Sequence, residues 1–422
     1  MKWLAYNVLF ALAYPFLLPG FVFRMLRRGG YARRMGDRIA LYPGDVISRL
    51  AAGRGKWVWI HAVSVGEVQV AGQLMREWRA ADPTVRFCFS TTSSTGWKMA
   101  ERELRAGDEL IYNPLDFPNF VKSALKTVRP RAVILTESEI WPQFIRCARR
   151  YGAKLFLINA RVSDRSAPRY RAARWWFADV LGAFTRIFAQ SELDRDRLVA
   201  AGAPPEKVTV SGSFKFDTAR RNPEKERLLS GWLGGGRVLL GGSTWPGEDE
   251  VLLEIYRNLL NEGFKVKLAI APRHFEKADE VEANILRAGF GCVRRSRQDA
   301  GAPGPEAVYL ADTTGELMGL YALAEVVFVG KSLCAHGSQN MIEPCLCGKP
   351  TLVGPYTENF RPVMSDLLRQ EAIVQVRSAK ELGEKIRELF TDPAGLGERA
   401  AAAVELRRGA VAKSLAAIME EI

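Results

Sequence analysis

The chain has 422 residues, 48% of them hydrophobic and 25% charged, with a formal net charge of +13. That length is too great for one ordinary core, so two domains are expected, and the composition excludes a disordered chain. The positive charge points to an anionic partner: nucleic acid, an acidic membrane surface or phosphorylated substrates.

Residues 3–23 carry no charge over a length that could cross a bilayer core. Asn7, Pro15, Pro19 and Gly20 make an imperfect span, which leaves a hydrophobic hairpin or an interfacial helix as alternatives. Arg24, Arg27, Arg28, Arg33, Arg34 and Arg38 follow, a basic block expected to keep the downstream side cytoplasmic and to attract anionic headgroups. Ala11-Leu12-Ala13 resembles a signal-peptide cleavage site, but the arginine block favours an uncleaved anchor, so residues 1–40 read as anchor and juxtamembrane segment.

Trp57-Val58-Trp59-Ile60 reads as a buried strand, and Val68, Val70 and Leu74 begin a helical spacing. Between them lie Ser64, Gly66 and Glu67, which places a glutamate where a strand gives way to a helix. In an open parallel sheet that edge binds ligands. The alternative is a glutamate that only complements the helix dipole. VRFCFSTTSSTG (85–96), RAVILTESEIWPQFI (131–145), AKLFLINARVS (153–163) and RIFAQSELDRDRL (186–198) repeat the strand, polar turn, helix plan, and VTVSGSFKFD (208–217) adds one more strand and turn. This is an α/β chain with a doubly wound parallel sheet over residues 41–217. There is no G-x-G-x-x-G at the first turn, so the dinucleotide fingerprint is absent.

Residues 218–236 read as a helical, charged linker. The plan then restarts over 237–399, with RVLLGGSTWPGEDEVLLEIYRNLL (237–260), KVKLAIAPRHFEKADEV (265–281), AVYLADTTGELMGLYALAEVVFVG (307–330) and KPTLVGPYTENF (349–360). Gly241-Gly242-Ser243-Thr244 could present backbone N–H groups to a phosphate, and Arg273 places a cation at a strand end. Glu343 follows a Gly/Ser/Gln/Asn loop, where a carboxylate could accept both hydroxyls of a ribose. A last helix over 400–422 is expected to pack across the domain boundary. Cys88, Cys147, Cys292, Cys334, Cys345 and Cys347 show no C-x-x-C spacing, and only His61, His274 and His336 accompany them. They read as reduced, mostly structural thiols of a cytosolic compartment, without a zinc site.

HAVSVGE, TESEIWP, NARVSDRS, GSFKFD, APRHFEK, DTTGELM and QNMIEP, in this order, resemble the family of 3-deoxy-D-manno-octulosonic acid (Kdo) transferases over nearly the whole chain. The resemblance implies a GT-B fold, two Rossmann-like domains facing across a cleft. It also implies inverting transfer of Kdo from CMP-Kdo to a lipid A precursor without a metal or other cofactor. Glu67 matches the catalytic base; Glu137 and Lys215 match residues that support the transition state. Pro272 and Arg273, then Thr314, Gly315 and Glu316, then Asn340, Met341, Ile342 and Glu343 match CMP contacts. The first domain would bind acceptor and the second CMP-Kdo. Lys331, Cys334 and Ser338 depart from a more glycine-rich family pattern.

The implied partners are CMP-Kdo, the lipid A precursor and anionic lipids of the inner membrane, with the domains facing the cytoplasm. Arg161, Arg165, Arg169, Arg171 and Arg174, interleaved with Tyr170, Trp175 and Trp176, suit either a solvated helix face or a membrane-facing acceptor region. No nucleic acid is expected, since no RRM or zinc-finger pattern occurs.

Overall fold

The computed structural model describes residues 2–28, 34–218, 222–297 and 306–422. Among the described residues, fourteen strands form two seven-stranded sheets, and every strand pair is parallel. The chain divides into two compact units, residues 1–218 with 408–422, and residues 219–407.

In the first unit the strands are β1 (Trp57–His61), β2 (Arg86–Thr91), β3 (Glu109–Tyr112), β4 (Ala132–Thr136), β5 (Lys154–Ala160), β6 (Arg186–Ala189) and β7 (Val208–Val210). Their order is β3-β2-β1-β4-β5-β6-β7. β1 and β4 are buried on both faces, as a sheet covered by helices requires. Trp57 and Trp59 face one core layer with Phe144; Val58 and Ile60 face the other with Trp78 and Phe87. The strand order reverses between β1 and β4, so the turns after these two strands diverge to opposite faces and leave a crevice at their carboxyl ends.

The second unit holds β8 (Arg237–Thr244), β9 (Val266–Pro272), β10 (Cys292–Arg294), β11 (Val308–Leu310), β12 (Val326–Val329), β13 (Thr351–Val353) and β14 (Val374–Gln375). Their order, β10-β11-β9-β8-β12-β13-β14, puts the equivalent reversal between β8 and β12.

Several segments differ from the sequence reading. Pro223–Leu233, expected as a helical linker, is helical, capped by the Asn222 side chain on Lys225 N, but it is not a linker. It buries Leu229 and Leu233 and meets the helix Leu317–Leu323, so it belongs to the second unit. Ala219, Arg220 and Arg221 lie outside the described residues. The expected single helix over 400–422 is broken: Leu396–Glu405 belongs to the second unit and Ala410–Met419 to the first. Gly409, at φ 90°, makes the turn, and Asp217 holds it by accepting from Gly409 N at 2.7 Å and Val411 N at 2.8 Å.

The N-terminal helix runs Lys2–Arg28. Trp3 and Tyr6 pack on Trp176 with ring centroids 4.8 and 5.2 Å apart, and Phe10 and Tyr14 meet Phe117 at 5.1 and 5.5 Å. The opposite face exposes Leu4, Val8, Leu9, Leu12 and Phe16. No helix among the described residues is long and apolar enough to cross a membrane. Two arginines expected at a headgroup surface do other work. Arg38 is buried, donates to Thr92 O at 2.7 Å and covers the Tyr112 ring, while Arg34 pairs with buried Asp37. Arg33 lies outside the described residues.

Candidate active site

Glu67 stands in the first turn of the helix Val65–Ala81, which follows β1. Ser64 caps that helix by accepting from Glu67 N at 3.2 Å, and its hydroxyl donates back to Glu67 Oε1 at 2.9 Å. The S-x-x-E spacing is that of a capping box, with the carboxylate bent back over the helix start onto Val63 N and the Ser64 hydroxyl in place of the Ser64 N–H. Oε2 accepts from Val63 N at 2.9 Å and from Thr136 Oγ1 at 3.2 Å. Thr136 ends β4, so Glu67 is tied across the β1–β4 reversal.

Glu137 is the next residue. It adopts φ 50°, which costs a non-glycine residue on the order of 1 kcal/mol and is tolerated where surrounding structure enforces it. The main chain around it is pinned on both sides: Glu137 N donates to Ile158 O at 2.9 Å and Arg161 N to Glu137 O at 3.4 Å. The carboxylate accepts from Asn159 Nδ2 at 3.2 Å. Burial pushes the Glu137 carboxyl above its ordinary range; Lys215 and Arg161 oppose the rise and the Glu67 charge adds to it. Lys215, in the short helix Lys215–Thr218 after β7, is depressed by burial and by Arg161, while Glu137 acts the other way. Glu67, Glu137 and Lys215 thus come together at one sheet edge from three separate turns. Glu137, Ser138, Arg161, Ser163, Ser166 and Tyr170 line a cavity of about 120 Å³ there.

Sequence reasoning passed over Thr136, Asn159 and His61 at this edge, and it set Arg161 in the basic-aromatic stretch, whereas Arg161 stands beside Glu137. His61 is fully buried at the end of β1, with Nδ1 2.9 Å from Ser90 Oγ and Nε2 3.6 Å from Glu139 Oε2. For Asn159 and Arg161 the NARVS string was the available signal. For His61 it was the HAVSVGE string.

The second group of residues lies at the carboxyl edge of the other sheet. Pro272 ends β9, and Arg273 N donates to Thr244 O at 3.0 Å, leaving an exposed side chain beyond the strand. Thr314, Gly315 and Glu316 follow β11; Gly315 takes φ 79° and its carbonyl accepts from Lys225 Nζ at 2.8 Å. Glu316 is engaged by Arg295 at 3.0 Å and by the Thr313 hydroxyl, and the Arg295 and Thr313 hydrogen bonds hold its carboxyl below the ordinary range against a desolvation that would raise it. Asn340 accepts from Ile342 N at 3.1 Å and donates to Glu343 Oε1 at 3.0 Å. Burial raises the Glu343 carboxyl, which the Asn340 hydrogen bond opposes. Met341 and Ile342 are fully buried, so these two can offer a ligand only backbone atoms.

Gly241 and Gly242 lie within β8, where added side chains would strike Leu252 and Tyr321, so packing of strand against helix demands them. The loop after β12 hangs on one buried carboxylate. Glu248 accepts from Trp245 N and Lys331 N at 2.8 Å, and from Ser332 N and Leu333 N at 3.0 Å. Lys331 and Ser338, two of the departures from a glycine-rich pattern, take φ 55° and 60°, the left-handed values glycine adopts freely.

The family model for 3-deoxy-D-manno-octulosonic-acid transferase (kdotransferase) matches residues 33–218. A 3-deoxy-D-manno-octulosonic acid transferase of Bordetella pertussis is 33% identical over 409 residues, covering 92% of this chain and 93% of the relative. This chain belongs to the 3-deoxy-D-manno-octulosonic acid transferase family. It is a glycosyltransferase of the Kdo transferase class.

The transferase of Haemophilus influenzae is 29% identical, with 93% of this chain and 92% of that one covered. A bifunctional glycosyltransferase/methyltransferase of Fusobacterium nucleatum is 29% identical over 340 residues, and the match spans about half, 52%, of that longer relative. Among solved structures, UDP-GlcNAc 2-epimerase from Neisseria meningitidis bound to UDP-GlcNAc shares the fold with TM-score 0.56 at 14% identity, covering 85% of this chain and all of that one. Anabaena Alr3699/HepE in complex with UDP and glucose shares it with TM-score 0.54 at 14% identity, covering 87% and 100%. These likenesses place the two parallel-sheet units in the GT-B class of folds.

Proposed function

We propose that this Kdo transferase moves Kdo from CMP-Kdo to a sugar hydroxyl of a lipid A precursor such as lipid IVA, with inversion, in lipopolysaccharide core biosynthesis. The observation that carries the reading is the meeting of Glu67, Glu137 and Lys215 at the β1–β4 reversal of the first unit. Glu67 takes the proton of the acceptor hydroxyl. Its two oxygens are held by Val63 N, Ser64 Oγ and Thr136 Oγ1, so the carboxylate is oriented, with lone pairs left for a further donor. CMP departs as a phosphate anion, and no strong general acid is required, unlike glycoside hydrolysis. The Lys215 ammonium supports the charge that develops as CMP leaves, or the donor carboxylate. Glu137 keeps that ammonium charged and placed within a buried setting.

On the second unit, Arg273 meets the nucleotide phosphate, Gly315 and its neighbours offer backbone groups, and Glu343, steadied by Asn340, accepts from the ribose hydroxyls. The first unit is the acceptor side and the second the CMP-Kdo side.

The acceptor is a lipid, and an apolar surface supports a membrane location. Leu4, Val8, Leu12 and Phe16 form a stripe spaced by four residues on the N-terminal helix, 49–86% exposed. The inner side of the same helix packs on Trp176, whose neighbour Trp175 is 67% exposed, and Arg165, Arg169, Arg171 and Arg174 are exposed around it. Aromatic and arginine side chains beside an apolar stripe suit the headgroup zone, so the helix lies in the interface of the inner membrane's cytoplasmic leaflet. Incubation with tetra-acylated lipid A precursor and either CMP-Kdo or UDP-sugars, followed by product mass, tests the reading. Kdo addition with CMP-Kdo alone is expected; transfer from a UDP-sugar alone would overturn it.

A further inference from the structure

Asn159 is fully buried at the carboxyl end of β5, where the β5–β6 register slips between Leu157 and Ala160. It adopts φ 51°, a left-handed conformation that asparagine tolerates better than most residues. Its side chain is used in two directions. Nδ2 donates to Glu137 Oε1 at 3.2 Å, and Oδ1 accepts from Phe214 N at 3.0 Å. Its main-chain oxygen accepts from Gln190 Nε2 at 2.8 Å, which fixes the residue from a third element. Phe214 is itself buried and directly precedes Lys215. One amide therefore holds the Glu137 carboxylate at one end and the backbone that launches Lys215 at the other.

We propose that Asn159 is a positioning residue for Kdo transfer, locking the Glu137 carboxylate and the Lys215 segment into one fixed arrangement. It acts through those two groups and not on substrate, and the inference rests on the roles proposed for them above. The chemistry asks for this side chain. Aspartate would turn an acceptor toward the Glu137 carboxylate; an aliphatic residue would strand the Phe214 N–H in the core. The charged groups facing Glu137 are Glu67 from the helix after β1, Arg161 from the loop after β5 and Lys215 after β7. His61 and Glu139 face one another beside it.

Two variants separate the side chain from the backbone turn. Asn159→Gly keeps a positive φ available and removes both side-chain hydrogen bonds. Asn159→Asp keeps the acceptor for Phe214 N and replaces the donor with a carboxylate. The folded Asn159→Gly protein is expected to lose about 10- to 100-fold in kcat with little change in the KM for CMP-Kdo, since misplacement of a reacting group acts on the chemical step. Asn159→Asp is expected to move the acid limb of the kcat profile to higher pH, because a second carboxylate raises the Glu137 pKa, and to lose that shift in a Glu137→Gln background. Wild-type kcat in Asn159→Gly, or an Asn159→Asp profile that does not move, overturns the positioning role. Either result, alongside impaired Glu137→Gln and Lys215→Ala proteins, leaves the reaction reading intact. Unimpaired Glu137→Gln and Lys215→Ala proteins would instead sink the roles on which the inference rests.

Discussion

Lys215 shows how burial and charge decide the character of one side chain. Desolvation lowers its pKa, and the facing Glu137 carboxylate opposes the fall. Asp217, two residues further on, accepts from Gly409 N and Val411 N. Lys215→Ala is expected to lower kcat by more than tenfold with the protein folded, and Lys215→Arg to restore only part of it, since a planar fork does not replace a compact ammonium. Steady-state kinetics on CMP-Kdo decide; wild-type kcat in both variants would pass the role to another cation such as Arg273. Glu137 gives a pH prediction. Its folded pKa is raised above the unfolded value, so its contribution to stability is complete below the unfolded pKa and is lost as pH rises through the folded one. Glu137→Gln removes that loss. Its Tm relative to wild type should therefore climb as pH rises above the ordinary glutamate value of about 4.3, and a pH-independent difference would contradict the shift. Glu67 was legible because a strand end, a glycine and a helical spacing surround it. Thr136 and Asn159 were not, because their partners are 69 and 22 residues away in sequence and meet only when strands pair.

At the scale of elements, most strands were legible as short apolar runs closed by a polar cluster; β3, β10 and β14, four, three and two residues long, were too short to show such a run. The linker reading of 218–236 failed because Pro223–Leu233 is charged along its exposed side and its burial depends on two leucines meeting a distant helix. Gly241 and Gly242 looked like a phosphate cradle and turned out to be strand positions crowded by Leu252 and Tyr321. Glu248 carries no sequence mark at all, yet its carboxylate gathers the N–H groups of the loop Lys331–Leu333. Glu248→Ala would leave those buried donors without a partner. The expected cost is about 3 kcal/mol or more, seen as a lower denaturation midpoint, together with weaker CMP binding by calorimetry. Unchanged stability would mean the loop finds other acceptors.

For the whole molecule, the net charge of +13 is distributed between two uses. Some arginines are structural: Arg38 is buried against Tyr112, and buried Arg79 pairs with Asp108. Others, from Arg165 to Arg174, stay exposed beside Trp175 and the N-terminal helix, and serve the lipid surface in the proposed reading. The tyrosine hydroxyl of Tyr6 donates to Asp116 Oδ2 at 2.7 Å, and Asp116 also accepts from Gln143 N and Phe144 N at the start of the helix Pro142–Arg150. The N-terminal helix is thus built into the first unit, and deleting it would uncover Trp176, Phe117 and Asp116. Polar replacement of Leu4, Val8, Leu12 and Phe16 together is the cleaner test. Co-sedimentation with anionic vesicles should fall by at least tenfold while the KM for CMP-Kdo holds, because each buried apolar side chain is worth roughly 1.5–3 kcal/mol. Undiminished vesicle binding would move the membrane contact elsewhere.

The central claim is that Glu67 is the base of Kdo transfer. Wild-type protein and Glu67→Gln should be incubated side by side with CMP-Kdo and tetra-acylated lipid A precursor, with acceptor mass and released CMP followed over time. Wild type is expected to add Kdo with matching CMP release; Glu67→Gln is expected to bind CMP-Kdo normally and to transfer about two to four orders of magnitude more slowly. Turnover near the wild-type rate by Glu67→Gln would contradict the account.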